Sequence, residues 1–173
     1  MDRPLWPTVV AGIVASQSGR VAEAEEHLSA AWEACGDNEH ALRCIVAHYL
    51  ADAQDEVWSE LEWDRRALEA HAHVRDGELA PLGIPSAKAF LPSLHLNLGD
   101  VWLRAGNPVE AERHVLEAQV ALDELGDDQY GAMVRKGVAS LSRRVAEAKP
   151  NRSTTVIQGK VGQVGLEPTT DGL

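Results

Sequence analysis

A register of small residues recurs along this chain, and it constrains the fold more than any other feature. Gly99, Trp102, Gly106, Ala111, Val115 and Ala118 stand at offsets 0, 3, 7, 12, 16 and 19, and Gly12, Ala15, Gly19, Ala24, Leu28 and Ala31 repeat those offsets near the start. A degraded copy lies between them, with Ala47, Leu50, Gln54, Ser59 and Trp63 at the first five offsets. Arg66 falls where its last alanine belongs, and the neighbouring Ala67 can serve if that helix is rotated slightly. Self-similarity of this kind marks a stack of like units, each burying its apolar face against the next.

The spacing has a physical meaning. Two antiparallel helices approach closely only where the facing side chains are small, so Gly99 opposite Ala111 and Ala118 sets the distance while Leu98 and Trp102 fill the flanks. Between the two segments, Gly106 suits the left-handed residue that stops a helix, Asn107 an N-cap, Pro108 a first turn, and Glu110 the return partner of a capping box. In the middle copy Asp55 is the expected cap. The helix after it carries Val57, Trp58, Leu61, Trp63, Ala67, Leu68 and Ala70, too many apolar groups for one stripe, which predicts packing on two sides.

Over 75–92, Gly77, Gly83, Pro81, Pro85 and Pro92 break the helical period and predict an insertion loop. Its Leu79, Leu82, Ile84, Phe90 and Leu91 predict that it folds back on the helices, either covering one end of a groove or acting as a lid. Tyr130, Met133, Val134, Gly137, Val138, Leu141 and Val145 then predict a capping helix over 128–149, with Arg135, Lys136, Arg143 and Arg144 on its other faces. The last segment, 150–173, is expected to be disordered after a stop at Pro150. Its GLEPTTDGL resembles the ends of reading frames that run through the antisense of a transfer-RNA gene, an artefact with no selected role.

The repeated pattern resembles the tetratricopeptide repeat family, best over 95–118 in His95, Leu98, Gly99, Trp102, Ala111, Val115 and Ala118, with Asp123 where the family has proline. The resemblance covers roughly residues 5–125. It implies an all-α, right-handed superhelix of three antiparallel helix pairs plus a C-terminal capping helix over residues 1–149, with repeats near 5–38, 40–74 and 92–126. It further implies that the first helices of successive repeats line a concave groove. Transferred residue by residue, the groove positions are Trp6, Val9, Ile13 and Gln17, then His48 and Asp52, then Asn97, Asp100 and Arg104.

One apolar end and a polar remainder suit an extended peptide or helix with a single apolar anchor. The alternative is that His48, Asp52, Asp100 and Arg104 bridge neighbouring helices as ordinary salt links. The carboxylate clamp with which some relatives hold chaperone tails needs several groove-facing Lys and Arg residues; here only Asn97 and Arg104 contribute, so that role is not expected.

Composition narrows the function further. At 173 residues the chain has room for one domain or a short array, and its net charge of -11 lacks the basic excess that nucleic acid requires. The acid is concentrated in residues 1–78 and the 128–149 segment is basic. That asymmetry favours a neutral to basic protein or peptide partner and allows head-to-tail homo-oligomers.

No run of about 18 apolar residues suggests a membrane span, and the opening residues are a poor signal peptide, so a cytoplasmic location is expected. Twelve arginines against four lysines hint at a GC-rich bacterial source. Cys35 and Cys44 fall on apolar helix positions and read as core filling.

No phosphate loop, HExxH, GxSxG or CxxC occurs, so no enzyme activity and no cofactor is expected. A metal-dependent hydrolase would have to use His48, Asp52 and His95 and lacks further ligands; His71 and His73, two apart, point to different faces. The expected function is noncatalytic protein or peptide binding, with a peptide-sensing regulatory unit acting in trans, or a self-assembling scaffold, as the alternatives.

Overall fold

The computed structural model describes residues 5–84 and 86–149; the expected break at Pro85, the helix stop at Pro150 and the disorder of the tail lie outside them. Among the described residues there are seven α-helices and no strand. They are α1 (Trp6–Gln17), α2 (Val21–Ala34), α3 (His40–Ala51), α4 (Val57–His71), α5 (Leu91–Arg104), α6 (Pro108–Val120) and α7 (Gln129–Ala148). None is long and apolar enough to cross a membrane. Consecutive helices pair as α1 with α2, α3 with α4 and α5 with α6; each pair stacks on the next, and α7 closes the end against α5 and α6.

The small residues sit where helices meet. A Cβ on Gly12 would lie 2.7 Å from Leu28 Cγ on α2, and Ala47, its counterpart on α3, is fully buried. A Cβ on Gly99 would lie 3.4 Å from the Ala111 carbonyl oxygen but only 2.7 Å from Leu141 Cδ2. Gly99 therefore makes room for the capping helix even more than for α6.

The α5–α6 turn follows its sequence closely. Gly106 has φ +81°, Pro108 occupies the first turn, and Asn107 Oδ1 accepts the Glu110 N–H at 3.1 Å. The reciprocal half of the capping box is not made. The Asn107 N–H goes to the Trp102 carbonyl at 2.9 Å, and the Glu110 carboxylate turns to Arg113 at 3.0 Å.

The middle turn departs from expectation. Residues 52–56 separate α3 from α4, a longer link than 18–20 or 105–107. Glu56, not Asp55, precedes the helix, and no side chain caps it. The longer link shifts the register of α4 by one position, so Ala67 is the buried alanine and Arg66 is exposed. Packing on two sides is realised: Leu61 joins Leu98 and Val101 of α5, while Trp63 meets Trp32 of α2 edge to face at 5.0 Å.

The insertion is shorter and more ordered than its composition suggests. Pro92 belongs to the first turn of α5, where its fixed φ and missing N–H cost nothing. The segment before it forms two 3₁₀ turns, Ala80–Leu82 and Ala87–Phe90. Leu79 and Phe90 are buried, Leu82 and Ile84 pack on the main core, and the His71 ring meets the Ala87 carbonyl at 2.8 Å. On α7, Val134, Val138, Leu141 and Val145 are buried, but Met133 is 62% exposed. Cys35 and Cys44 are both buried and unpaired by disulfide. Burial pushes the Cys35 thiol up to about 11, which removes the thiolate that reactivity needs.

Candidate binding groove

Two adjacent cavities open beside α3. Ile45, Tyr49 and Asp52 fall at i, i+4 and i+7, so one face of the helix presents an apolar, an amphipathic and an acidic group in order. Ile45 and Tyr49 line a cavity of about 240 Å³ whose other walls include Ile13, Ile84, Phe90 and Tyr130. Asp52 lies one turn further along and lines a second cavity of about 310 Å³ with Glu60, Asn97, Asp100 and Arg144.

The expected apolar end of the groove is largely core. Val9 is fully buried, Ile13 reaches only the wall of the first cavity, and Trp6 packs half-buried against the main core. Gln17 is exposed at the rim of that cavity. The reason is that α1 is apolar on nearly all sides, so the sequence could not say which apolar side chains turn inward and which face the groove.

The polar positions do come together. Asn97 Nδ2 lies 3.4 Å from His48 Nδ1, 3.3 Å from Asp52 Oδ1 and 3.5 Å from Asp64 Oδ1. A carboxamide nitrogen carries two hydrogens, so three acceptors compete for two donors. Burial pushes the His48 imidazole down to about 4, leaving it neutral and free to accept. Burial and the nearby Glu60 push Asp52 up to about 6. Asp64 is only 1% exposed, its second oxygen has no partner, and burial together with Asp52 and Glu60 holds its carboxyl well above the usual range.

Alongside this cluster the salt links of the alternative reading are present. Arg104 is shared between Glu60 on α4 and Asp100 on α5, the latter at 2.8 Å. Arg144 of α7 reaches Asp100 at 2.6 Å. Burial opposes the charge on Asp100, but hydrogen bonds from the two guanidinium groups hold its carboxyl below the usual range. Arg104 is thus a tie between helix pairs, and α7 forms one wall of the site.

His95 does not join His48 and Asp52. Its Nδ1 lies 2.9 Å from His114 Nδ1 in a buried pair, and burial pushes His114 down to about 3. Among the described residues no group of three His, Cys, Asp or Glu side chains converges to hold a metal ion.

The sequence had not singled out Tyr49, Glu60 or Asp64, and it placed Tyr130 and Arg144 only in the pattern of the 128–149 helix, not at the groove. For Asp64 a signal existed: it falls in the buried stripe Leu61, Asp64, Ala67, His71, where a carboxylate breaks the apolar pattern. Aligning the buried alanines Ala31, Ala67 and Ala118 places Asp64 at the position held by Leu28 and Val115 in the other two pairs.

The family model described as tetratricopeptide repeat matches residues 5–30 and 92–117, which are α1 with most of α2, and α5 with most of α6. No curated protein and no solved structure matches the chain.

Proposed function

We propose that this all-helical chain, two of whose helix pairs match the tetratricopeptide repeat, a class that generally mediates protein–protein contacts without catalysis, binds an extended peptide along the α3–α5 face. One observation carries the proposal: the Ile45–Tyr49–Asp52 stripe joins an apolar cavity to an acid-rimmed one within two helical turns. An extended peptide advances about 3.3 Å per residue, so an apolar side chain and a polar or basic one a few residues away reach both cavities together. Ile13 and Gln17 line the apolar end and Asp52, Asn97 and Asp100 the polar end, with His48 and Arg104 holding Asn97 and Asp100 from behind and Trp6 packed on the core beneath. The partner is a neutral to basic protein segment, in keeping with the chain's net charge of -11.

The test is selection of peptides from a random displayed library, followed by calorimetry on two variants. Tyr49→Asp, in the groove, is expected to weaken the selected peptides at least tenfold. Trp58→Ala, on a side chain 63% exposed and outside both cavities, is expected to leave them within twofold. Peptides indifferent to Tyr49→Asp would remove the groove as the binding face.

A further inference from the structure

We propose that the outer face of α6 is a docking surface for an amphipathic helix of another protein, one whose apolar stripe is flanked by lysine or arginine. The surface shares no lining residue with the two cavities of the α3–α5 groove and does not depend on them.

Helix α6 is apolar on two opposite faces. Ala111, Val115 and Ala118 turn to the core and are buried. Val109, Leu116 and Val120 lie on the other side and are 67%, 56% and 81% exposed. With Arg113 they fall at offsets 0, 4, 7 and 11, the alternating four-and-three spacing along which one helix meets a second. Single exposed apolar side chains are ordinary, whereas a contiguous row of them marks a contact surface.

The other helix pairs supply the comparison. When the buried alanines Ala31, Ala67 and Ala118 are aligned, the same four outward positions hold Ala22, Glu26, Ser29 and Glu33 in α2, and Trp58, Glu62, Arg65 and Glu69 in α4. Stacking therefore does not require large apolar side chains there, since two of the three pairs stack with mainly polar ones. The row on α6 is peculiar to the third pair, and its cause lies outside the array.

A groove runs beside the row. A cavity of about 420 Å³ lies between α4, α5 and α6, with Leu68, Leu98 and Trp102 as its apolar part and Arg113 on its α6 side. Trp58 of α4, largely exposed, meets Trp102 edge to face at 6.3 Å and extends the apolar surface. A helix laid along α6 can rest its stripe on Leu116 and Val120 and send a side chain from its edge into the cavity.

Charge selects the occupant. Glu110 and Glu117 stand two turns apart on the groove side of the row, and Glu112 stands on the opposite side. Arg113 is turned to Glu110 at 3.0 Å and Lys149 pairs with Glu112, while Glu117 has no ion-pair partner among the described residues. Three glutamates and one arginine leave α6 with an acidic surplus on its flanks. Flanking charges decide which helices pair, so lysine or arginine beside the partner's stripe meets these glutamates. A second α6 would instead bring the same glutamates against one another, which disfavours a second copy of this chain.

The probe is the peptide acetyl-(Leu-Ala-Ala-Leu-Lys-Gln-Lys)3-amide, compared with the same peptide carrying glutamate in place of lysine. Added to the full chain, the lysine peptide is expected to give saturating shifts of the Leu116 and Val120 methyl resonances. Affinity is expected to fall about tenfold or more with the glutamate peptide and in the double variant Leu116→Gln with Val120→Gln, and about threefold in Glu117→Gln. Ser29→Gln, at the position of α2 that matches Leu116, and Tyr49→Asp, in the α3–α5 groove, are expected to stay within twofold.

The α6 substitutions fall on exposed side chains and introduce a good helix former, so these variants are expected to fold. A glutamate peptide that binds within twofold of the lysine peptide, or a lysine peptide indifferent to the double variant, overturns the inference. Equal weakening by Ser29→Gln or Tyr49→Asp also overturns it, because the peptide then sits elsewhere. Sedimentation gives the last arm: a dimer of the free chain that the double variant dissolves would make a second copy the occupant and remove the foreign helix.

Discussion

The first and second helix pairs answer one structural question with opposite chemistry. Beneath Gly12 the α1–α2 pair places Leu28, fully buried, and the contact is apolar throughout. At the matching position the α3–α4 pair places Asp64, equally buried and short of a partner. Position within the stack therefore decides burial, and residue type decides whether the buried site is filled by apolar contact or by an acid short of a partner. The third pair is a further variation: it keeps Val115 but buries the His95–His114 contact beside it.

Exchanging the two chemistries gives the largest expected effect. Leu28→Asp removes an apolar side chain from a filled site and strands a charge, and is expected to cost more than about 4 kcal/mol. Asp64→Leu is expected to stabilise the fold by about 1 kcal/mol or more, because the buried acid lacks compensation. Urea midpoints of the two variants measure both. A tolerated Leu28→Asp would mean the two pairs are not alike in packing.

The acid and histidine sites pull stability in opposite directions with pH. Asp52 and Asp64 have folded pKa values above the usual carboxylate range, so their ionisation burdens only the folded state and stability is lost as pH rises above about 4. For Asp52 that loss is complete by a little above pH 6, and for Asp64 it continues higher. His48 and His114 are depressed to about 4 and about 3, so their contribution is present above the unfolded value and lost as pH falls through that window. The Asp64→Asn variant isolates one side of this balance. Its advantage over wild type in urea is expected to widen from pH 4 to pH 8, and a gap that narrows would show that Asp64 is ionised and compensated in the folded state.

The turns give the smallest effect. Asn107 caps α6 with its side chain, whereas no side chain caps α4. Asn107→Ala is expected to cost about 1 kcal/mol and Glu56→Ala under about 0.5 kcal/mol. Thermal melts that reverse this order would contradict the capping assignment.

Much of the fold was legible in residue order. Gly106, Asn107 and Pro108 specify a turn by local backbone chemistry, and the α7 stripe of Val134, Val138, Leu141 and Val145 needs only helical periodicity. Legibility failed where two local solutions were nearly equal. Asp55 and Glu56 both stand before α4, and a one-residue change of link length moves the helix from an Arg66 register to the Ala67 register. The site was legible in part for a related reason. Asp52, Asn97, Asp100 and Arg104, which the resemblance put on one face, do lie close together, but Val9 is core and Ile13 reaches only a cavity wall, because apolarity alone does not distinguish a groove wall from an interior.

The order of residues by itself determined the paired helices, the close approach within each pair and the last helix, because those follow from local periodicity and contacts between residues near in the chain; that Gly99 also admits Leu141 of α7 was not legible there. Only the tertiary structure decided that His48, Asp52 and Asp64 meet at Asn97, separated from it by 49, 45 and 33 residues, and that Arg144 of α7 completes the wall. Such convergence depends on the rotation of one helix pair against the next. That rotation is set by the summed packing of whole interfaces, a quantity no short stretch of sequence carries.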